Sequence, residues 1–344
     1  MYNVGVFPMK GLPPHRGHLH AIINSATRCK KLYVVVSHNE QETVKLCNEA
    51  NCTYISLQNR VKWLSVELQG FTHIKVLGLD ESDIPVFPNG WSQWAMLLRN
   101  AVPEPFDVIF GGEESYIEGH AKNFPNVVYE LFDYKRERYG ISGTDIRNNP
   151  LKHWEYILGS ARPFFAKKVL IAGTESAGKS TLTKYLAKIF YTAWSEEFGR
   201  YYSDMYLGGN ETIFTTKDFE NICFKQYEQD MNALNKANKV VFFDTDAVIT
   251  EYYANLYIGN TSDIIKSFID PTRYDLVLFM RPDVTWVDDG KRFMGEEKKR
   301  WELHKILLNM YMQYGFKNII EIGGDYNERL HKAVEIIDSL LEGK

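Results

Sequence analysis

Short apolar runs and longer amphipathic stretches alternate along the chain. Runs at Tyr2–Phe7, Lys31–Ser37, His73–Leu79, Phe106–Gly111 and Val127–Phe132 predict buried strands. Between them, apolar residues at helical spacing predict helices over His18–Thr27, Gln58–Gly70 and Trp91–Asn100; in the second of these, Val61, Leu64 and Leu68 share a face. After a break, Val169–Ala172, Tyr191–Glu197, Val240–Thr245, Leu276–Met280 and Ile319–Ile322 read as strands, and Trp301–Tyr314 as a core helix. This alternation implies an α/β class with parallel sheets flanked by helices. The break is taken as a linker at 161–167, between an N-terminal domain, 1–160, and a C-terminal domain, 168–344. A length of 344 residues agrees with two domains.

Composition adds exclusions. The chain is 44% hydrophobic and 14% aromatic, enough for two real cores, and its net charge of −4 gives no general attraction to nucleic acid. No apolar run approaches the ~18 residues of a membrane span, and no basic region precedes an apolar stretch at the N-terminus. Neither a nucleic-acid nor a membrane partner is therefore expected. Cys29, Cys47, Cys52 and Cys223 form no CxxC pair, which speaks against a four-cysteine zinc site. Free thiols suit a reducing compartment, and a cytoplasmic location is expected.

The strongest motif is Val169–Leu182, VLIAGTESAGKSTL: an apolar strand, then Gly173, four residues, Gly178, Lys179 and Ser180. That is the spacing of a phosphate-binding P-loop. Gly173, Glu175, Ser176, Ala177, Gly178, Lys179, Ser180 and Thr181 would wrap ATP phosphates, with Lys179 on the β/γ-phosphates and the Ser180 hydroxyl on Mg²⁺.

The N-terminal half carries two shorter signals. Pro13-Pro14-His15-Arg16-Gly17-His18 puts two histidines at i and i+3 on one face of a helix start, where they can bond phosphates; Lys10 adds charge from the same loop. Ile141–Arg147, ISGTDIR, offers a second anion cradle from Ser142, Thr144 and Arg147. Together HxGH and ISxTxIR resemble the nucleotidyltransferase superfamily. Followed by a P-loop kinase, the whole chain resembles the bifunctional NadR family. Arg60 with Trp63, Asp80, Gly90–Trp94 and Phe110–Tyr116 match as well, although glycines at 111 and 112 stand where small polar residues are more usual. Met9-Lys10-Gly11 likewise departs from the family's run before the HxGH proline.

The resemblance implies a Rossmann-like adenylyltransferase domain that makes NAD from nicotinamide mononucleotide (NMN) and ATP, and a kinase domain that makes NMN from nicotinamide riboside. ATP and Mg²⁺ follow as co-substrate and metal; nicotinamide riboside, NMN, ATP and NAD follow as partners. A homo-oligomer is left open. His15, His18 and Arg147 would be catalytic in the first domain. The chain starts at the first catalytic strand, so the helix-turn-helix of many bacterial members, and a DNA-binding role, are not expected. Trp91 and Trp94 either stack on a nicotinamide ring or pack a short helix.

In the second domain Glu197, at a strand end, is the leading candidate for the base that takes the substrate hydroxyl proton, with Glu196 as alternative. Arg200 would bind phosphate or orient that carboxylate. Asp244 ends a Walker-B-like strand, VVFFD, and would hold Mg²⁺. Asp246 would meet ribose hydroxyls or simply cap the next helix. Leu276–Arg292 resembles the family's lid and substrate segment: Trp286 would pack on the nicotinamide ring, Asp288 or Asp289 bind riboside hydroxyls, and Arg292 and Arg300 close on the phosphoryl group. Two other readings stay open: a nucleotide-sensing regulator, and a fused adenylyltransferase-kinase acting on another small metabolite.

Overall fold

The computed structural model describes residues 1–86, 89–132, 138–283 and 297–343. The chain divides into two compact units, Met1–Arg162 and Pro163–Lys344.

In unit 1 five parallel strands, β1 (Tyr2–Met9), β2 (Cys29–His38), β3 (Ile74–Asp80), β4 (Val108–Gly111) and β5 (Val128–Leu131), form one sheet in the order β3-β2-β1-β4-β5. The continuous apolar run of β2 is what a strand covered on both faces requires, and Leu32 through Val36 are buried. Val6 stands opposite Tyr33 and Gly5 opposite Val108. The helices are α1 (Arg16–Ala26), α2 (Glu40–Glu49), α3 (Leu57–Glu67), α4 (Trp91–Ala101), α5 (Ile117–Asn123) and α6 (Gly143–Asn148). One core packs α4 and α5 on the sheet through Val6, Tyr33, Val35, Leu98, Ile109 and Phe124. Sequence reasoning missed α2, whose apolar face is thin. Its start is fixed by Asn39, whose Oδ1 accepts the Glu42 N–H at 3.0 Å.

The expected linker at 161–167 is not a loop. Gly159–Ala161 is a 3₁₀ turn, α7 (Arg162–Phe165) a single helical turn, and strand β6 starts at Lys167. Ala161, Phe165 and Ala166 are buried, and the Lys167 N–H donates to the Lys239 carbonyl at 2.8 Å. Those apolar anchors and that ladder bond order a stretch that composition alone marks as a break.

Unit 2 is a second five-stranded parallel sheet, of β6 (Lys167–Gly173), β7 (Trp194–Ser195), β8 (Val240–Asp244), β9 (Leu276–Met280) and β10 (Ile319–Ile322), in the order β10-β9-β6-β8-β7. Its helices are α8 (Lys179–Ile189), α9 (Phe198–Tyr206), α10 (Thr216–Leu234), α11 (Ala247–Ile258), α12 (Asp263–Ser267), α13 (Glu297–Gln313) and α14 (Tyr326–Glu342). Central β6 is buried between α8 and α14 on one face, through Val169, Ile171, Leu182, Leu186, Ala333 and Ile337. The strand expected over Tyr191–Glu197 shrinks to two residues. Tyr191 has φ +48 and closes the turn after α8, while Glu197 already stands at the N-cap position of α9. No helix among the described residues is long and apolar enough to cross a membrane.

Candidate active sites

In unit 1 the loop after β1 leads into α1 through its two histidines. His15 is the N-cap and His18 the third helical residue. The His15 N–H donates to His18 Nδ1 at 3.3 Å and the His15 side chain accepts the His18 N–H, a capping box built from imidazoles. The rings lie 3.8 Å apart, tilted by 35°. This loop rests on the second motif. Arg147, buried, donates to the Leu12 carbonyl and, at 3.1 Å, to Thr144 Oγ1; a Cβ on Gly143 would collide with Leu12 O. The structure thus brings His15, His18, Thr144 and Arg147 together beyond the end of β1, beside the strand-order reversal where such sheets bind ligands.

A second buried arginine supports the loop from the other side. Arg60, 1% exposed, donates to the carbonyls of Lys10 (2.7 Å), Ser37 (3.1 Å) and Ser56 (3.3 Å) and to His38 Nδ1 (2.7 Å). His38 Nδ1 therefore accepts, and its Nε2 carries the proton that bonds Glu40 at 3.0 Å.

Two of the residues expected at the phosphates of unit 1 have partners within the protein. The Lys10 ammonium pairs with Glu42 at 2.6 Å. The Ser142 hydroxyl donates to Asp145 Oδ2 (2.6 Å) and accepts the Asp145 N–H (3.1 Å), so it serves as the cap of α6 and its proton is committed within that turn. Asp145 completes this capping box, of which Ser-x-x-Asp is the sequence signature. Trp91 and Trp94 meet edge-to-face at 5.4 Å, and Trp91 also packs on Tyr116 (5.5 Å) and His120 (5.7 Å). Both remain half-buried.

In unit 2 the loop after β6 has left-handed backbone at Ser176 (φ +58) and Gly178 (φ +86), and φ +142 at Gly173, where a Cβ would lie 2.9 Å from Met280 O. Lys179 is buried, its Nζ 3.1 Å from the Thr174 carbonyl. Thr174 Oγ1, Ser176 Oγ and Asp244 Oδ1 are buried with no hydrogen-bond partner among the described residues. Orphaned polar atoms around one loop are expected where a ligand supplies the missing bonds. Asp244 bonds Ser180. Burial and the neighbouring Glu197 carboxylate push its pKa up to about 6, against the pull of Lys179, Ser180 and Arg200. No group of three or more His, Cys, Asp or Glu among the described residues could hold a metal unaided. A Ser180–Asp244 pair fits Mg²⁺, which takes few protein ligands and fills the rest with phosphate and water oxygens.

Beside the loop lies an open pocket lined by Lys179, Glu197, Arg200, Gln226 and Thr245, by the acidic side chains of Glu175, Asp204 and Glu211, and by the rings of Phe214, Phe219, Tyr253 and Tyr257. Glu197 thus faces the pocket, while Glu196 pairs outward with Lys184 at 3.0 Å. Asp246 takes the capping role that was one of its two expected readings: 4% exposed, its Oδ1 accepts the Val248 and Ile249 N–H groups and the Tyr311 hydroxyl at 2.5 Å. Arg300 borders a smaller cavity with Thr174 and Glu175. Trp286, Asp288, Asp289 and Arg292 lie outside the described residues.

Sequence reasoning missed Arg329 on α14. It is 2% exposed and donates to the Ala177 carbonyl inside the loop (2.6 Å), to Gly324 O (2.7 Å) and Arg281 O (2.8 Å), and to Asp283. It missed Asp204, Glu211, Tyr253 and Tyr257 too, since only the fold carries them to the pocket.

A family model described as AAA domain matches residues 168–329. The trifunctional NAD biosynthesis/regulator protein NadR of Escherichia coli (strain K12) is 30% identical over 343 residues, covering 98% of this chain and 83% of that protein. The protein of the same description from Salmonella typhimurium is 29% identical over the same extent. A crystal structure of NadR protein in complex with NR superposes with a TM-score of 0.82 at 26% identity, covering 98% of this chain and 95% of that one; another, in complex with NAD and AMP-PNP, gives 0.82 and 26%.

Proposed function

The chain belongs to the NadR family of NAD biosynthesis proteins, and on that premise we propose that its two units catalyse successive steps toward NAD. Unit 2 phosphorylates the 5′-hydroxyl of nicotinamide riboside with ATP. Unit 1 joins the resulting NMN to the adenylyl group of a second ATP, releasing pyrophosphate. The observation that carries this reading is the pocket of unit 2. Carboxylates of Glu175, Glu197, Asp204 and Glu211 and the rings of Tyr253 and Tyr257 border one space beside the phosphate loop. A pyridinium riboside is a flat cation, and rings with nearby carboxylates favour it.

In this reading Glu197 takes the 5′-hydroxyl proton as the oxygen attacks the γ-phosphorus, and ADP leaves. Lys179 and the loop N–H groups neutralise charge on the transferring phosphoryl oxygens. Ser180 and Asp244 would hold Mg²⁺, which supplies Lewis-acid stabilisation of that charge. In unit 1 a phosphate oxygen of NMN attacks the α-phosphorus of ATP. His15, His18, Thr144 and Arg147 hold the phosphates, and catalysis is positioning and charge stabilisation, with no covalent enzyme intermediate.

Product analysis of the purified protein with nicotinamide riboside, ATP and Mg²⁺ tests this. NMN followed by NAD is expected. NAD from supplied NMN, with the riboside untouched, would overturn the kinase substrate alone; neither product would favour a sensor.

A further inference from the structure

Glu197 occupies the N-cap of α9, yet its side chain makes no capping bond to its own helix. The first N–H of that helix is met from elsewhere. Gln226, 4% exposed on α10, accepts the Phe198 N–H through Oε1 at 2.8 Å and donates from Nε2 to the Glu196 carbonyl at 3.1 Å. One amide therefore grips the backbone on both sides of Glu197. The same Nε2 donates to Asp230 Oδ1 at 2.9 Å, which fixes the amide orientation. Asp230, 1% exposed, also accepts the Ser195 hydroxyl at 2.6 Å and Arg273 Nη2 at 2.9 Å.

We propose that Gln226, locked by Asp230 and Arg273, is a positioning residue that aims the Glu197 carboxylate at the substrate hydroxyl. By capping α9 from a neighbouring helix it relieves Glu197 of that duty, so the carboxylate reaches the pocket. Residues Ser195 to Phe198 are clamped at three points, and a carboxylate on such a frame keeps its distance to the reacting oxygen. A misplacement near 1 Å costs about 10²-fold in rate. The proposal rests on Glu197 being the base.

The test is a double-mutant cycle on the full chain, reading kcat and KM for riboside phosphorylation together with AMP-PNP affinity. Glu197→Gln should lower kcat by about 10²–10⁴-fold. Gln226→Met should lower kcat about 10²-fold, with AMP-PNP affinity unchanged. In the Glu197→Gln background the Gln226→Met loss should vanish, because the two act through one group. Multiplying losses, an unimpaired Gln226→Met enzyme, or a matching loss of AMP-PNP affinity would overturn the positioning role. An unimpaired Glu197→Gln enzyme would instead overturn the base assignment itself. Should Gln226→Met fail to fold, Asp230→Asn takes its place in the same cycle and is read by the same criteria.

Discussion

Lys179 is buried within the loop it serves, its ammonium 3.1 Å from the Thr174 carbonyl. Removing it should cost riboside phosphorylation about 10²–10³-fold, the scale of losing one preorganised charge donor, and leave adenylylation unchanged. His18→Ala should do the reverse; product chromatography on each variant checks both. His120 gives a different kind of test. It is 3% exposed, stacked between Tyr129 (4.3 Å) and Phe124 (5.1 Å), and burial pushes its pKa down to about 4 from 6.5. The unfolded chain therefore binds a proton between pH 6.5 and 4 that the folded chain refuses. The contribution to stability is complete above pH 6.5 and is lost as pH falls toward 4, at no more than ~1.4 kcal/mol per pH unit. Thermal melts of His120→Phe should show a flatter decline of unit 1 over that window than the parent chain.

Elements, more than single residues, decide how the sites are assembled. α6 starts against the loop of β1, and Gly143 lets it come that close. Gly143→Ala should push the two apart, lowering adenylylation at least about tenfold and unit 1 stability by about 1–3 kcal/mol, while riboside phosphorylation holds; paired assays and urea melts read this out. α14 stands in the same relation to the P-loop through Arg329. Arg329→Met leaves the Ala177, Gly324 and Arg281 carbonyls without their donor, and ATP should bind unit 2 more weakly, by about tenfold or more, as titration with AMP-PNP will measure. These supports explain what the sequence could and could not tell. The P-loop was legible because glycines, Lys179 and Ser180 are contiguous and each has one local job. The histidine pair was legible for the same reason. Ser142 and Asp246 looked like ligand contacts because capping and ligand binding use the same short polar side chains at a helix start. Gln226 and Arg329 were silent, since Phe198 and Ala177, which they hold, lie 28 and 152 residues away and only the fold brings them within 3 Å; Arg60 was legible only as a matching residue of the resemblance, without its role. The strand at Trp194–Ser195 was overextended because an apolar run does not reveal where Tyr191 turns left-handed.

At the scale of the molecule, each unit has its own sheet and core. Chemistry should therefore separate cleanly between chains. An equimolar mixture of Lys179→Ala and His18→Ala proteins should regain NAD synthesis from nicotinamide riboside, because each supplies the step the other lacks and NMN crosses through solution; chromatographic detection of NAD in the mixture, and its absence from either protein alone, is the expected result. The two arginine anchors have one further consequence. Leu12 meets Arg147 across 135 residues, and Ala177 meets Arg329 across 152. Each loop is made early in its own unit and receives its anchor only when that unit is nearly finished. A nascent or prematurely terminated chain thus carries the motif of its unfinished unit in an unbraced state, and competence for each reaction arrives unit by unit, at the end of each unit's synthesis.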